Sequence, residues 1–257
     1  GTSHHMIGEQ VEARAEFEAA LRASAGSKQI GPTYFGFDHR LRAKVGLART
    51  LWLQGHARQA VRTAHDMGVQ ADGTEHAVTR CITLIWAVSV LLWNGDFDDA
   101  EAYVDRFIAL AEAHSLKPYQ LIGRGVKGEI DIRRGDIERG APVVQDSLRA
   151  LHAAHYEMVT SSFNAVLAEA LAASGREAQA FELIAAAIRG VEAGGDLYSL
   201  PEMLRIQARV RLAMADPDWA AAETDLLSAL EWSGRQGALA WELRAATDLA
   251  ALWAERC

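Results

Sequence analysis

The sequence predicts an all-α protein built as a stack of antiparallel helix pairs, and three observations carry that prediction. Ala, Leu, Glu and Arg are abundant while only 5 of the 257 residues are Pro, so strong helix formers are plentiful and breakers scarce. Val, Ile and Thr form no short alternating runs, and nothing reads as a sheet. The chain also repeats itself: Gly55, Gly95, Gly135 and Gly175 stand at a period of 40 residues in matching contexts.

Each glycine is followed five residues later by a small residue: Ala60, Ala100, Gly140 and Ala180. That pairing marks two helices meeting at a tight turn. The glycine takes the left-handed position that ends the first helix, and the small residue lets the second backbone come close. Seven residues before each glycine lie Ala48, Val88, Gly128 and Ala168; nine after lie Ala64, Val104, Val144 and Ile184. A fifth, degenerate copy falls near Asp216. First helices are expected at about 38–54, 75–94, 118–134, 156–174, 200–214 and 238–255, and second helices at about 8–24, 56–70, 96–114, 136–153, 176–192 and 217–234. Lys117-Pro118, Ser199 before Pro201, and Asp216-Pro217 read as helix starts. Pro142 falls inside a predicted helix, which should start late or kink there. Linkers are short except at 25–37 and 190–199. The sum is an α-solenoid of about six pairs, each burying its apolar face on its neighbours. The turn pattern is that of tetratricopeptide (TPR) repeats, with a period longer than the usual ~34 residues and helices correspondingly longer.

Composition bounds the function. Half of the residues are hydrophobic and 23% charged, enough for a real core. The net charge of -8 argues against phosphate-driven binding, so no direct nucleic-acid contact is expected. Two cysteines, Cys81 and Cys257, make no disulfide framework and suit a cytoplasmic setting. The most apolar run, residues 81–93, is shorter than the ~20 residues a spanning helix needs, so no membrane is expected. Residues 1–6 read as a tag or cloning scar, with His4 and His5 not taken as metal ligands, and 7–257 as a single domain.

Motifs for chemistry are absent or explained by packing. Gly123, Gly125 and Gly128 spell G-x-G-x-x-G, but inside a predicted helix, where a dinucleotide loop has no place. No P-loop occurs. His152 and His155 lack further ligands at metal-site spacing. No catalytic residue, metal or cofactor is expected, and the chain is not read as an enzyme. Trp52, Trp86 and Trp93 lie on first helices, which line the concave face of such solenoids; core packing and a binding groove are both open for them. Trp52 and Trp86, together with Arg49, Arg124 and Lys127, make the candidate partner or ligand surface. Lys127 stands out because its repeat column is otherwise apolar, and it is expected to point into the groove.

Longer strings carry a resemblance. Phe35-Gly36-Phe37-Asp38-His39-Arg40-Leu41 leads into Leu47-Ala48-Arg49-Thr50-Leu51-Trp52-Leu53-Gln54-Gly55; later come Leu200-Pro201-Glu202-Met203-Leu204-Arg205-Ile206 and the block from Arg235 to Ala250 containing Trp241-Glu242-Leu243-Arg244. From about Gly8 to Ala254 the chain resembles the C-terminal helical-repeat region of bacterial STAND-type signalling ATPases, most like the group with a winged-helix DNA-binding domain and also like a related nucleotide-cyclase group. The resemblance implies a non-catalytic arm of a transcriptional regulator. That arm senses a protein, peptide or small inducer and relays binding to an upstream ATPase that these 257 residues do not contain. It offers no catalytic residue, and it implies that Glu202, Arg205 and the Trp241–Arg244 string tie helix pairs together. A stand-alone TPR adaptor, or the repeat arm of a cyclase-type protein, is the alternative.

Overall fold

The computed structural model describes residues 1–24 and 38–256. All regular structure among them is helical. After α1 (Thr2–Ile7) and α2 (Gln10–Ser24) come five complete pairs: α3 (His39–Leu53) with α4 (Ala57–Asp72), α5 (Ala77–Asn94) with α6 (Phe97–Ala113), α7 (Lys117–Arg133) with α8 (Ile137–Ala153), α9 (Thr160–Ala173) with α10 (Glu177–Gly194), and α11 (Leu200–Ala213) with α12 (Trp219–Gln236). A short 3-10 turn, Leu197–Ser199, precedes α11, and α13 (Leu239–Glu255) closes the stack. Each helix packs on its predecessor, and first helices also pack on one another in the row α3, α5, α7, α9, α11, α13. That is an all-α solenoid, as the period predicts.

The four repeat glycines adopt the left-handed conformation their role demands, with φ between 72° and 92°. The small residue after each is fully buried at Ala60, Ala100 and Ala180. In the α7–α8 pair the approach is closest. A Cβ on Gly128 would lie 2.9 Å from the Gly140 carbonyl oxygen, and one on Gly125 would overlap the Phe163 ring. The G-x-G-x-x-G string is therefore a packing surface: its missing side chains admit Ile108 from α6 and Phe163 from α9. Helix α5 is 18 residues long and apolar enough to span a membrane by composition, but its Leu84, Val88 and Leu91 are core residues buried between neighbouring helices.

Several boundaries differ from the sequence expectation. α9 begins at Thr160 rather than near 156, because His155 and Val159 carry positive φ, 52° and 64°, and end helical backbone there. Thr160 Oγ1 donates to the Glu157 carbonyl at 2.9 Å and holds the turn. α8 neither starts late nor stops at Pro142; it runs from Ile137, capped by Asp136, and gives up one backbone bond to the exposed Glu138. Asp216-Pro217 does not open α12. Asp218 does, its carboxylate accepting from Ala221 N at 3.0 Å, so Pro217 stays outside the helix. Residues 2–6, read above as part of a tag or cloning scar, form α1 together with Ile7, and His5 is buried against α3.

The two ends of the stack meet. α13 packs on α11 and α12, and also on α3, while α1 packs on α3 and on the 3-10 turn. Gln236 Nε2 donates to the Leu197 carbonyl at 2.7 Å. Arg244 Nη2 donates to the Trp93 carbonyl at 2.8 Å across 151 residues of chain. The row of first helices thus curves until its last member faces its first.

Candidate functional site

Curvature brings the inner residues of α3, α5, α11 and α13 together. Trp52 of α3 sits edge-on to Trp241 of α13 at 5.0 Å between centroids, and Trp93 of α5 lies 5.3 Å from Trp52 and 5.6 Å from Trp241. Tyr198 of the 3-10 turn joins them at 6.4 Å from Trp93. The indole nitrogen of Trp241 donates to the Tyr198 carbonyl at 3.1 Å, so the polar tip of this buried ring is satisfied. The inner face here is a filled aromatic seam, not an open groove.

Two arginines are buried beside the seam. Arg205 of α11 is 7% exposed and fully occupied: Nε donates to Glu202 at 2.8 Å, Nη1 to Asp248 of α13 at 2.7 Å, and Glu169 of α9 lies 3.7 Å away. Glu202 also accepts from Arg244 Nη1 at 2.7 Å. Burial works to raise the Glu202 carboxyl, but Arg205 and then Arg244 outweigh it and hold it below the usual carboxylate value. These residues tie α9, α11 and α13 together, the role expected of Glu202, Arg205 and Arg244.

Arg49 of α3 is 4% exposed and has no such partner. Its guanidinium carbon lies 4.2 Å from the Trp86 centroid, 4.7 Å from Tyr198 and 5.1 Å from Trp93, a cation held between three aromatic rings. Among the described residues no carboxylate lies within 4 Å of it, and Nε and Nη2 are buried with no hydrogen-bond partner. Residues 25–37 contain no Asp or Glu. Asp196 feels the Arg49 charge from farther off; burial pushes its carboxyl up and Arg49 pulls only partly against this.

Arg49 lines a cavity of about 460 Å³. α1 contributes Thr2, His5 and Met6; α2 contributes Phe17; α3 contributes Arg42, Val45 and Gly46; Ile82 and Trp86 come from α5, and Met158 precedes α9. The volume is in the range of small-molecule sites, and among the described residues the wall is mostly apolar, with two arginines and no acid. His5 stacks on Tyr198 at 5.0 Å, and its Nδ1 is engaged by Gln10 at 2.9 Å. Burial first, and the Arg49 charge second, push His5 well below the usual imidazole value, so the ring is neutral; its Nε2 is buried and unpartnered.

The candidates from sequence therefore divide. Arg49, Trp52 and Trp86 come together on the inner face, where Trp52 is core and Trp86 walls the cavity. Arg124 is exposed on α7 and joins neither the seam nor the cavity. Lys127 is corrected: its amine pairs with Asp105 of α6, toward the outer layer of second helices, because its column faces that neighbour rather than the groove. Tyr198, Trp241, Arg244 and the cavity wall from α1 and α2 were missed as site residues. Tyr198 sits in a segment that reads as a linker, and nothing local says that α13 returns to α3.

The architecture defines a TPR-like helical-repeat protein. Among solved structures the chain is similar to Bacillus thuringiensis PlcR in complex with the peptide PapR7 and DNA, with a TM-score of 0.59 at 12% identity, covering 83% of this chain and 74% of that one. It is also similar to two structures of the Podosopora anserina putative kinesin light chain with nearly identical TPR-like repeats. One of them, a point-substituted form, gives a TM-score of 0.49 at 17% identity, covering 74% of this chain and 90% of that one. The other gives 0.46 at 17%, covering 77% and 94%. At such identities the likeness is one of fold. No protein-family model matches the chain, and no curated protein matches it.

Proposed function

We propose that this chain is the sensing and interaction domain of a bacterial cytoplasmic transcriptional regulator. In this reading it catalyses nothing. It takes up an inducer or peptide partner at its inner face and relays that event to an ATPase and a DNA-binding domain encoded upstream. The observation that carries the sensing role is Arg49, a buried cation with no carboxylate within 4 Å among the described residues, lining a cavity of about 460 Å³. Stability alone does not favour an unpaired buried charge, whereas a site awaiting an anionic group does. The strings around Trp52, Glu202 and Trp241 support the regulator setting through their resemblance to STAND-type proteins. PlcR, similar in fold, was solved with a peptide and DNA.

A binding event there has a route outward. The cavity wall includes α1, α2, α3 and α5, and α3 is also the helix on which α13 closes. Solenoid repeats contact only near neighbours, so small rotations accumulate along the row. A ligand that shifts α3 against α5 changes how the two ends meet. The test is the open reading frame encoding residues 7–256. A winged helix and a P-loop ATPase in frame upstream are the expected result; a start codon immediately before Ile7 would overturn the regulator reading in favour of a stand-alone adaptor.

A further inference from the structure

We propose that two copies of this chain associate through α13, whose outer face carries an apolar stripe that pairs antiparallel with the same stripe on the second copy.

α13 is apolar on two sides. Trp241, Ala245, Leu249 and Leu252 face the stack and are buried. Leu239, Leu243, Ala246, Ala250 and Trp253 recur at the i, i+4, i+7 spacing and form a second stripe; all five are exposed, Leu243 at 70%. A first helix inside the stack differs: no residue of α5 from 77 to 93 is exposed, because neighbours cover it all round. A repeat that ends a solenoid ordinarily turns a polar face outward. α13, the last helix among the described residues, turns out an apolar one. Trp253 is held in place there. Its indole nitrogen donates to Glu223 of α12 at 2.8 Å, so the polar tip is satisfied within the chain and the apolar body of the ring faces outward. Exposed Leu227, one turn beyond Glu223 on α12, widens the patch.

The stripe complements itself. Its large residues stand toward the ends and its small ones in the middle. In an antiparallel pair of α13 helices, with a twofold axis passing near Thr247, Leu243 meets Trp253 of the second copy and Ala246 meets Ala250, and the small middle admits a close approach. The flanking charges agree. Glu242 and Arg256 border the same side of the stripe at opposite ends, so the antiparallel pairing brings each beside the other across the axis, twice. Glu242 makes no ion pair among the described residues, and Arg256 commits only Nη1, to Glu223 at 2.7 Å. A parallel pair leaves these charges unmatched. Arg244 and Asp248 do not disturb the contact, since they are engaged within the chain by Glu202 and Arg205. Everything the contact needs on both sides is thus written on one helix, which is what fits a second copy.

Sedimentation equilibrium of the whole 257-residue chain tests the proposal, with twice the chain mass expected. Leu243→Glu and Ala250→Lys each place a charge on an exposed position of the stripe. Both should keep the helical circular dichroism and the melting temperature of the unaltered monomer, and both should weaken association by roughly a hundredfold or more. Thr247→Cys and Ala254→Cys, each combined with Cys257→Ser, read the register. A short bis-maleimide should join two chains through position 247, beside the axis. It should not join them through 254, whose counterpart lies about 20 Å away along the helix. A chain that stays monomeric up to roughly millimolar concentration overturns the proposal and leaves the stripe to a different partner. A dimer that both stripe variants leave intact overturns it as well, and linking through 254 but not 247 overturns the antiparallel arrangement.

Discussion

Arg49 in α3 and Arg205 in α11 occupy the same kind of place. Both sit on first helices, both are more than nine-tenths buried, and both lie beside the aromatic seam that closes the inner face. Their surroundings differ in one respect. Arg205 meets Glu202, Asp248 and Glu169, acids delivered by three helices, whereas Arg49 meets three aromatic rings and no acid within 4 Å among the described residues. Near α11 the fold uses an arginine as a tie between repeats. Near α3 it bears the desolvation of a charge, with Nε and Nη2 buried and unpartnered. The contrast sets a structural arginine beside one for which we propose a role in the sensing site.

Substitutions should separate the two regions by size of effect. Arg205→Met removes the partner of buried Glu202 and should cost about 3–5 kcal/mol, read as a lowered denaturant midpoint. Trp241→Ala opens the seam where α13 meets α3 and should cost about 3–5 kcal/mol; it should also loosen the closure, so that amide exchange accelerates in both α3 and α13. Retained protection of α3 in that variant would mean the ends do not depend on each other.

Acid should act on the Arg205 region. The Glu202 carboxyl is depressed in the folded state, so the stability it contributes is fully present above its unfolded value of ~4.3 and is lost as pH falls below that through the folded value. A melting curve followed downward from pH 5 should steepen its decline there, and Glu202→Gln should flatten that dependence. The smallest effect belongs to Arg124→Ala, an exposed residue outside seam and cavity, which should change stability by no more than about 0.5 kcal/mol.

Local chemistry is readable from the sequence and long-range closure is not. The period places Gly55, Gly95, Gly135 and Gly175 at turns because a left-handed φ is a demand on one residue. The column logic explains Gly128 for the same reason, since close approach within a pair depends on a fixed offset. Glu202 and Arg205, three apart on one helix, announce themselves as a pair. The curvature that brings α13 to α3 arises from small rotations summed over five pairs, and no single residue encodes it. Hence Tyr198 passes for linker, and Arg49 and Trp52 are candidates without the partners that define them. Lys127 misleads because an anomaly in an apolar column need not face inward; here it faces Asp105 on the adjacent second helix. The positive φ of Val159, on a β-branched residue, follows from no sequence rule.

The central claim is that the Arg49 guanidinium contributes a site rather than a tie. Thermal unfolding of Arg49→Met beside Arg205→Met tests it most directly, since both changes remove a buried charge and keep an apolar stem. The expected result is a large fall in melting temperature for Arg205→Met. For Arg49→Met a melting temperature equal to or above that of the unaltered chain is expected, because removing an unpaired buried charge relieves its desolvation. A fall in Arg49→Met as large as that in Arg205→Met would contradict the account.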